Sequence, residues 1–163
     1  MLRTLSLTVT AVALAATACT ANSGPAPTSG SSGAPAAADK TSLAFGDTYR
    51  GMVDTKVSTP RPAKPSPYAF PTAGEAWGVD VTFTNNAPQT LSPSMFRMGA
   101  TTDGRASREV LDSNKGMLGL ETVPPVAPGE TVTVPMAFTG SAQGQHRITV
   151  SSVDGTQTVV FSD

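Results

Sequence analysis

The sequence predicts an all-β fold, an antiparallel β-sandwich of about seven or eight short strands. Three observations lead to this prediction. Apolar and polar residues alternate along short segments, pairs of turn-forming residues bound these segments, and no segment beyond residues 1–18 shows a convincing helical period. Alternation with a period of two is typical of a strand that buries one face and exposes the other.

Two segments carry the clearest alternation. In 75–83 the large apolar residues fall on one side of the strand, at Trp77, Val79, Val81 and Phe83. In 131–138 they are Val132, Val134, Met136 and Phe138, opposite Thr131, Thr133 and Ala137. β-Branched and aromatic residues on the buried side favour half-exposed antiparallel strands at both places.

Further short segments have the composition of strands. They are 43–50, 52–57, 94–100, 108–112, 146–152 and 156–162, with turn formers at Asn85-Asn86, Asp103-Gly104, Pro128-Gly129 and Asp154-Gly155. Asp154-Gly155 predicts a two-residue hairpin turn, because Asp and Gly tolerate positive φ angles. The chain has one cysteine, so the core must hold by packing. The predicted core residues are Trp77, Phe83, Phe138, Ile148, Val150 and Phe161.

The first 18 residues have the pattern of an export signal. Arg3 precedes an apolar run over 5–16, and small residues follow it. The run is shorter than the roughly 20 apolar residues that a membrane-spanning helix needs. A basic start, a short apolar stretch and a small-residue site are typical of a signal peptide. We therefore expect residues 1–18 to be removed by cleavage between Ala18 and Cys19.

Cys19 is the only cysteine, and it follows the predicted signal peptide directly. The site resembles the lipobox of bacterial lipoproteins, although Ala16 stands where Leu is common. An unpaired thiol on an exported protein invites unwanted disulfides, and acylation would remove it. Acyl chains contribute about 0.8 kcal/mol of membrane binding per methylene. We predict that Cys19 is lipidated; the alternative is a secreted protein with a free thiol.

Residues 19–40 are predicted to form a flexible tether. Residues 20–38 contain only Ala, Gly, Ser, Pro, Thr and one Asn, which offer too little apolar surface to order the segment. A flexible chain of this length reaches roughly 25 Å. The remaining residues, 41–163, are enough for one sandwich domain with its own core.

Part of this domain resembles an uncharacterised family, the immunoglobulin-like domain of Gram-positive surface lipoproteins and related secreted antigens. The shared features lie within 75–163: Asn85 at a strand end, Phe96 in an apolar strand, the turns Asp103-Gly104 and Pro128-Gly129-Glu130, and Phe138 in a core strand. Ala106 departs from the pattern, where an aromatic residue is common. The resemblance implies an immunoglobulin-like sandwich in an extracytoplasmic place, without an established reaction.

The sequence carries little that indicates catalysis. The net charge is −1 and there is no basic stripe, so nucleic acid is not an expected partner. The single histidine, His146, shares a strand face with Ile148 and Val150 and is predicted to sit at the rim of the core. Serine or cysteine catalysis needs a base held by a third group. We expect no enzymatic activity and no cofactor.

Methionines provide an alternative reading, a soft-metal carrier for copper. Thioether sulfurs suit Cu(I), and Met95 and Met98 form a local pair. Residues three apart on a strand point to opposite faces, however, so this pair needs a bulge to share one ion. The plainer interpretation is that the methionines fill gaps in the core, and we predict no metal site.

The proline-rich segment 58–71 has two interpretations, a contact surface for a partner and a cap on the sandwich. Its five prolines exclude a central strand, so it must be a long connection or an edge cover. It displays Arg61, Lys64, Tyr68 and Phe70, which would form a recognition loop for a partner. The sequence favours the other interpretation, in which Tyr68 and Phe70 fold inward and cap the open end of the sandwich.

Together these patterns predict a lipid-anchored, extracytoplasmic binding module of the bacterial cell envelope. Its partners would be the membrane, through the N-terminal lipid, and possibly another envelope protein, without nucleic acid. The rival function is the copper carrier with methionine ligands.

Overall fold

Ten strands and three short 3-10 helices make up the computed structural model, which describes residues 40–71 and 74–163. The predicted signal peptide, Cys19 and the tether up to residue 39 lie outside the described residues. The 3-10 helices are Pro93–Met95, Ser113–Lys115 and Leu120–Thr122. The strands are β1 (Lys40–Ala44), β2 (Thr48–Tyr49), β3 (Val53–Val57), β4 (Arg61–Ala63), β5 (Ala76–Asn85), β6 (Phe96–Thr102), β7 (Arg105–Ser107), β8 (Thr131–Thr139), β9 (His146–Ser152) and β10 (Thr158–Ser162).

The strands form two five-stranded sheets, and the predicted β-sandwich is confirmed. The first sheet has the order β1-β10-β9-β6-β7, with β1 parallel to β10 and the other neighbours antiparallel. In the second sheet β5 is central: β8 pairs along one side of it, while β3 and β4 share the other side, followed by β2 at the edge. Among the described residues, no helix is long and apolar enough to cross a membrane.

The core lies between the sheets, and its predicted members are confirmed. Trp77, Phe83, Phe138, Ile148, Val150 and Phe161 are each at most 2% exposed. The rings of Trp77 and Phe138 lie 5.0 Å apart between centroids. Phe83 stacks on Phe96 from the opposite sheet at the same distance. Burying a side chain of this size contributes about 1.5–3 kcal/mol to folding, so these rings account for much of what holds the sheets together.

The predicted strand 43–50 is wrong, because the chain changes sheet within it. β1 pairs with β10 in the first sheet, and β2 pairs with β3 in the second. The break falls at Gly46, whose φ of +91° is open to glycine and strained for other residues. The segment therefore connects the two layers instead of extending one of them.

The second predicted strand to fail is 108–112, which makes only isolated bridges. Glu109 pairs with Phe138, Leu111 with Phe70, and Asp112 with Met117. The segment runs from β8 to the proline-rich stretch. Its pairing partner therefore changes along its length, and it forms no continuous ladder of hydrogen bonds with one strand. Val110 lies against Ala137 on the outer face of β8, and this is why Ala137 is fully buried although the alternation places it opposite the core.

Positive φ angles place the tight turn at a different Asp-Gly pair. Asp103 and Gly104 have φ of 52° and 75° and form a two-residue turn between β6 and β7. The predicted two-residue turn at Asp154-Gly155 is wrong, because Ser152 and Gln157 are joined by hydrogen bonds around a four-residue loop. Asp154 keeps a negative φ and accepts hydrogen bonds from the backbone and hydroxyl of Thr156, which widens the turn.

Candidate binding surfaces

The proline-rich segment follows the edge of the second sheet, as the edge-cover prediction requires. β4 pairs with the first residues of β5, and Pro62 takes an edge position that costs no central ladder bond. Arg61 donates to Asp80 across this edge at 2.9 Å. About half of the Arg61 side chain and over a third of the Asp80 side chain are exposed to solvent, so the pair contributes at most about 1 kcal/mol. Lys64 is exposed.

Asp112 fixes the second half of the proline-rich segment through hydrogen bonds to Ser66. Its carboxylate accepts hydrogen bonds from the backbone N–H of Ser66, from the Ser66 hydroxyl and from the backbone N–H of Asn114. Asp112 itself is only 2% exposed. The hydrogen bond from the Ser66 N–H is the main cause of its lowered pKa, since it favours the ionised form. One buried carboxylate thus joins two pieces of chain that are 46 residues apart.

Tyr68 and Phe70 point away from the core. Tyr68 is 84% exposed and Phe70 is 67% exposed, whereas Ala69 between them is buried. Phe70 is held by two backbone hydrogen bonds with Leu111, at 2.9 and 2.7 Å. The favoured prediction, in which the two aromatic residues fold inward and cap the sandwich, is therefore wrong. Their binding role stays a prediction.

Two leucines extend this exposed apolar surface. Leu111 is 44% exposed and Leu118 is 46% exposed, and they line the same cavity of about 290 Å³. The Arg108 guanidinium lies 6.0 Å from the centre of the Phe70 ring. We call Tyr68, Phe70, Leu111 and Leu118 the aromatic ridge. The sequence analysis missed the leucines because 108–112 reads locally as a strand, and only the crossing over β8 turns Leu111 outward.

Two glutamates border the ridge. Glu109 and Glu121 line the same cavity as Leu111 and Leu118. Partial burial raises the pKa of Glu109, and the nearby charge of Glu121 raises it further. Glu121 also accepts a hydrogen bond from Arg97 at 3.2 Å. The ridge therefore combines apolar side chains with a mixed charged border.

His146 is part of the core rim, in agreement with the sequence analysis. It is 5% exposed, and its ring centroid lies 4.3 Å from that of Trp77. Its Nε2 is 3.0 Å from the carbonyl oxygen of Ser141, and its Nδ1 is 3.5 Å from Asp163. Trp77 in turn donates to the Thr102 hydroxyl at 2.9 Å. Packing on Trp77 and hydrogen bonding explain why His146 is buried at this position.

Met95 and Met98, the pair considered for the rival copper function, do not converge. Met95 is half exposed and lines a cavity at one end of the sandwich, whereas Met98 packs on the core and lines the cavity beside the ridge. Within residues 40–71 and 74–163, no group of three or more His, Cys, Asp or Glu side chains is placed to hold a metal ion.

A second apolar surface lies at the end of the sandwich, where Met95 is found. We call it the end pocket, a cavity of about 430 Å³ between the two sheets. Val53, Asn85 and Phe96 are buried within it, and Met52 and Met95 are exposed at its rim. The loops 87–91 and 152–157 complete its lining. The sequence analysis did not predict this pocket.

Asn85 builds one wall of the end pocket. Its amide group donates to the carbonyl oxygens of Gln89 and Val126, at 2.8 and 2.9 Å. Its side-chain oxygen accepts from the N–H of Ala87 at 3.0 Å. These bonds use both donors of the buried amide and fix the loop after β5. Asn85 is the strand-end asparagine noted in the sequence. Its three side-chain hydrogen bonds explain why an asparagine suits this position.

Comparison with known proteins shows similarity of fold and little similarity of sequence. No known family model matches the chain, and no curated protein matches it. Among solved structures, the yjhA protein of Bacillus subtilis is 12% identical, with a TM-score of 0.59 over 73% of this chain and 97% of that one. The secreted protein MPT63 of Mycobacterium tuberculosis is 17% identical, with a TM-score of 0.58 over 77% and 99%.

A third similar structure belongs to a longer protein. The candidate lipoprotein ycdA of Bacillus subtilis is 12% identical, with a TM-score of 0.54. The match covers 77% of this chain and 38% of that one. Identities this low relate the chain to these proteins by fold, a β-sandwich.

Proposed function

We propose that this chain is an extracytoplasmic binding module, anchored through an acylated Cys19, which contacts an envelope partner through the aromatic ridge. Two similar folds, a candidate lipoprotein and a secreted protein, support the extracytoplasmic place. The lipobox-like site before Cys19 supports the anchor. The activity is binding, without catalysis or a cofactor.

One observation carries this proposal: the exposure of two aromatic side chains on a fixed backbone. Exposed aromatic residues at 84% and 67% on one short segment are unusual for a solvated loop. The hydrogen bonds to Asp112 and Leu111 already order this backbone. Association therefore loses little further conformational entropy there, and aromatic side chains contribute strongly to interfaces.

The ridge is tested by crosslinking in the native host, followed by capture and mass spectrometry. The test variant carries Tyr68→Ser and Phe70→Ser. The matched control carries Val153→Ser, which removes another exposed apolar side chain that lies outside the ridge, the end pocket and the cavity beside the ridge. We expect a recurrent partner that is captured by the parent and the control and lost with the ridge variant. Equal capture by the ridge variant, or no recurrent partner, would overturn the proposal.

The anchor is tested separately. Parent and Cys19→Ala chains are expressed in the native host, and their processed masses and membrane fractions are compared. We expect the parent to carry the mass of a diacylglycerol and to sediment with membranes, and the variant to lose both. A parent protein found in the medium with a free thiol would instead establish the secreted form.

A further inference from the structure

We propose that the envelope partner of the aromatic ridge is a second copy of this chain, held across a two-fold axis with Arg108 of each copy against Glu109 of the other. The inference rests on the proposed function, because it names the partner of the same surface. Three features of the ridge carry it. Its apolar side chains lie together, two charges at its border are opposite in sign, and both are without an ion pair among the described residues.

The ridge brings large exposed apolar side chains together. Seven such side chains are exposed among the described residues, and four of them belong to the ridge. Phe70 and Leu111 exchange two backbone hydrogen bonds, and residues paired in this way direct their side chains to the same face. Single exposed apolar residues are ordinary on a monomer, whereas a cluster of them indicates a surface that another molecule covers.

A cation and a carboxylate stand at the border of the ridge. Arg108 is exposed, and its guanidinium lies 6.0 Å from the centre of the Phe70 ring. Glu109 remains accessible to solvent, and its carboxylate lies beside the Leu111 side chain. Within residues 40–71 and 74–163, neither Arg108 nor Glu109 forms an ion pair. Both charges are therefore available to a partner.

A surface with one unpaired cation and one unpaired carboxylate complements itself. In a two-fold dimer every contact between two different residues occurs twice, so one arrangement would pair Arg108 with Glu109 on both sides of the apolar contact. Burial and the charge of Glu121 raise the pKa of Glu109, and a guanidinium from the second copy would stabilise its ionised form. A surface of one charge, such as a membrane of anionic lipid, would instead meet a like charge at one of the two positions.

The apolar side chains would supply most of the affinity, and the ion pairs would fix the orientation. Exposed ion pairs contribute little to affinity, but like charges placed opposite each other at an interface are costly. Anchoring at Cys19 would confine the copies to one membrane and raise their effective concentration. An interface of modest affinity would therefore suffice.

Sedimentation equilibrium over a concentration series tests the dimer, with the full chain carrying Cys19→Ser so that no acyl chain contributes. We expect a monomer–dimer equilibrium whose Kd rises about tenfold or more with Tyr68→Ser and Phe70→Ser, because truncating aromatic residues in an interface has effects of this size. Val153→Ser, outside the ridge, should leave the Kd unchanged. A parent that stays monomeric, or a ridge variant that dimerises as the parent does, would overturn the proposal.

Charge reversal tests the pairing itself. Arg108→Glu alone and Glu109→Lys alone should each raise the Kd about tenfold or more, because each places like charges opposite each other twice. Mixed in equal amounts, the two variants should form a heterodimer with about the parent Kd, since opposite charges then face each other at both positions. Lys56→Glu and Asp47→Lys, at exposed positions outside the ridge, should change nothing. A mixture that associates no more tightly than either variant alone would contradict the proposed dimer.

This outcome is distinguishable from that of the proposed function. A monomeric parent that captures a different envelope protein through the ridge would overturn this inference and leave the proposed function standing. Equal association and equal capture by the parent and the ridge variant would overturn both.

Discussion

Asp112 is the residue on which the position of the ridge depends most. Three hydrogen bonds converge on its buried carboxylate, two of them from Ser66. Glu109, three residues earlier, has its pKa shifted in the opposite direction because it is partly desolvated near another carboxylate. The pKa values of these two acids therefore shift in opposite directions because their surroundings differ. Hydrogen-bond donors surround Asp112, whereas Glu109 is partly buried beside the like charge of Glu121.

The first prediction concerns Asp112→Asn and pH. The accepted hydrogen bonds lower the folded-state pKa of Asp112 below the unfolded value of about 3.9. Its contribution to stability is therefore present above the unfolded pKa and is lost as pH falls through the folded pKa. We expect Asp112→Asn to lower the Tm at neutral pH, because an amide N–H would face a donor, and to flatten the dependence of the Tm on pH below about 4.

Thermal unfolding followed by circular dichroism between neutral and strongly acidic pH measures this effect. Asp47→Asn, at an exposed carboxylate, is the control and should follow the parent curve. Parallel curves for parent and Asp112→Asn would show that the Ser66 contacts contribute nothing to the acid dependence.

At the scale of elements, the β6–β7 hairpin depends on the backbone conformation of its turn. Gly104 has a φ of +75°, and a Cβ built there would have open space around it. The second prediction is that Gly104→Ala lowers the free energy of unfolding by about 1–2 kcal/mol through left-handed strain alone. Gly99 also has open space, without a positive φ, so Gly99→Ala should be neutral or slightly stabilising. Urea titration of both variants measures the difference, and equal effects would exclude strain as the cause.

The elements also show what could be predicted from the sequence. β5 and β8 were predictable because large apolar residues alternate along both strands; burial departs from this alternation at residues 76–79 and at Ala137, where the outer face is covered as well. Residues 43–50 and 108–112 have the same local pattern, but Gly46 sends the first into another sheet and the partners of the second change along it. Local alternation does not encode which neighbour a strand has.

The candidate sites also divide into one that local sequence indicates and one that depends on how the strands pair. Tyr68 and Phe70 could be identified because five prolines exclude a buried strand there. The end pocket could not, because its lining comes from four separated stretches, around Met52, Asn85, Met95 and Gln157. The sequence indicates which side chains are candidates, and the pairing of the strands determines which of them lie together.

At the scale of the whole molecule, the third prediction is that residues 1–39 contribute nothing to the stability of the sandwich. The first strand starts at Lys40, and its pairing partner β10 belongs to the core sheet. A chain of residues 40–163 should unfold at the Tm of the Cys19→Ser full chain. A chain of residues 46–163 lacks β1 and should unfold at a lower Tm and aggregate, because the β10 edge becomes unpaired.

Differential scanning calorimetry with light scattering tests both truncations. A lower Tm for residues 40–163 would mean that the preceding stretch packs on the domain. An unchanged Tm for residues 46–163 would mean that β1 is dispensable.

The parallel pairing of β1 with β10 also determines how the protein would respond to mechanical tension. β1 is an edge strand that pairs with one neighbour over five residues, and the chain leaves it at Lys40 towards the proposed anchor. A pull between the membrane and a partner on the ridge would load this pair before the pairs of the second sheet, which the chain enters only after Gly46. Detachment of β1 would lengthen the linkage while the other sheet still held the partner, so the edge strand would act as an extensible joint under load.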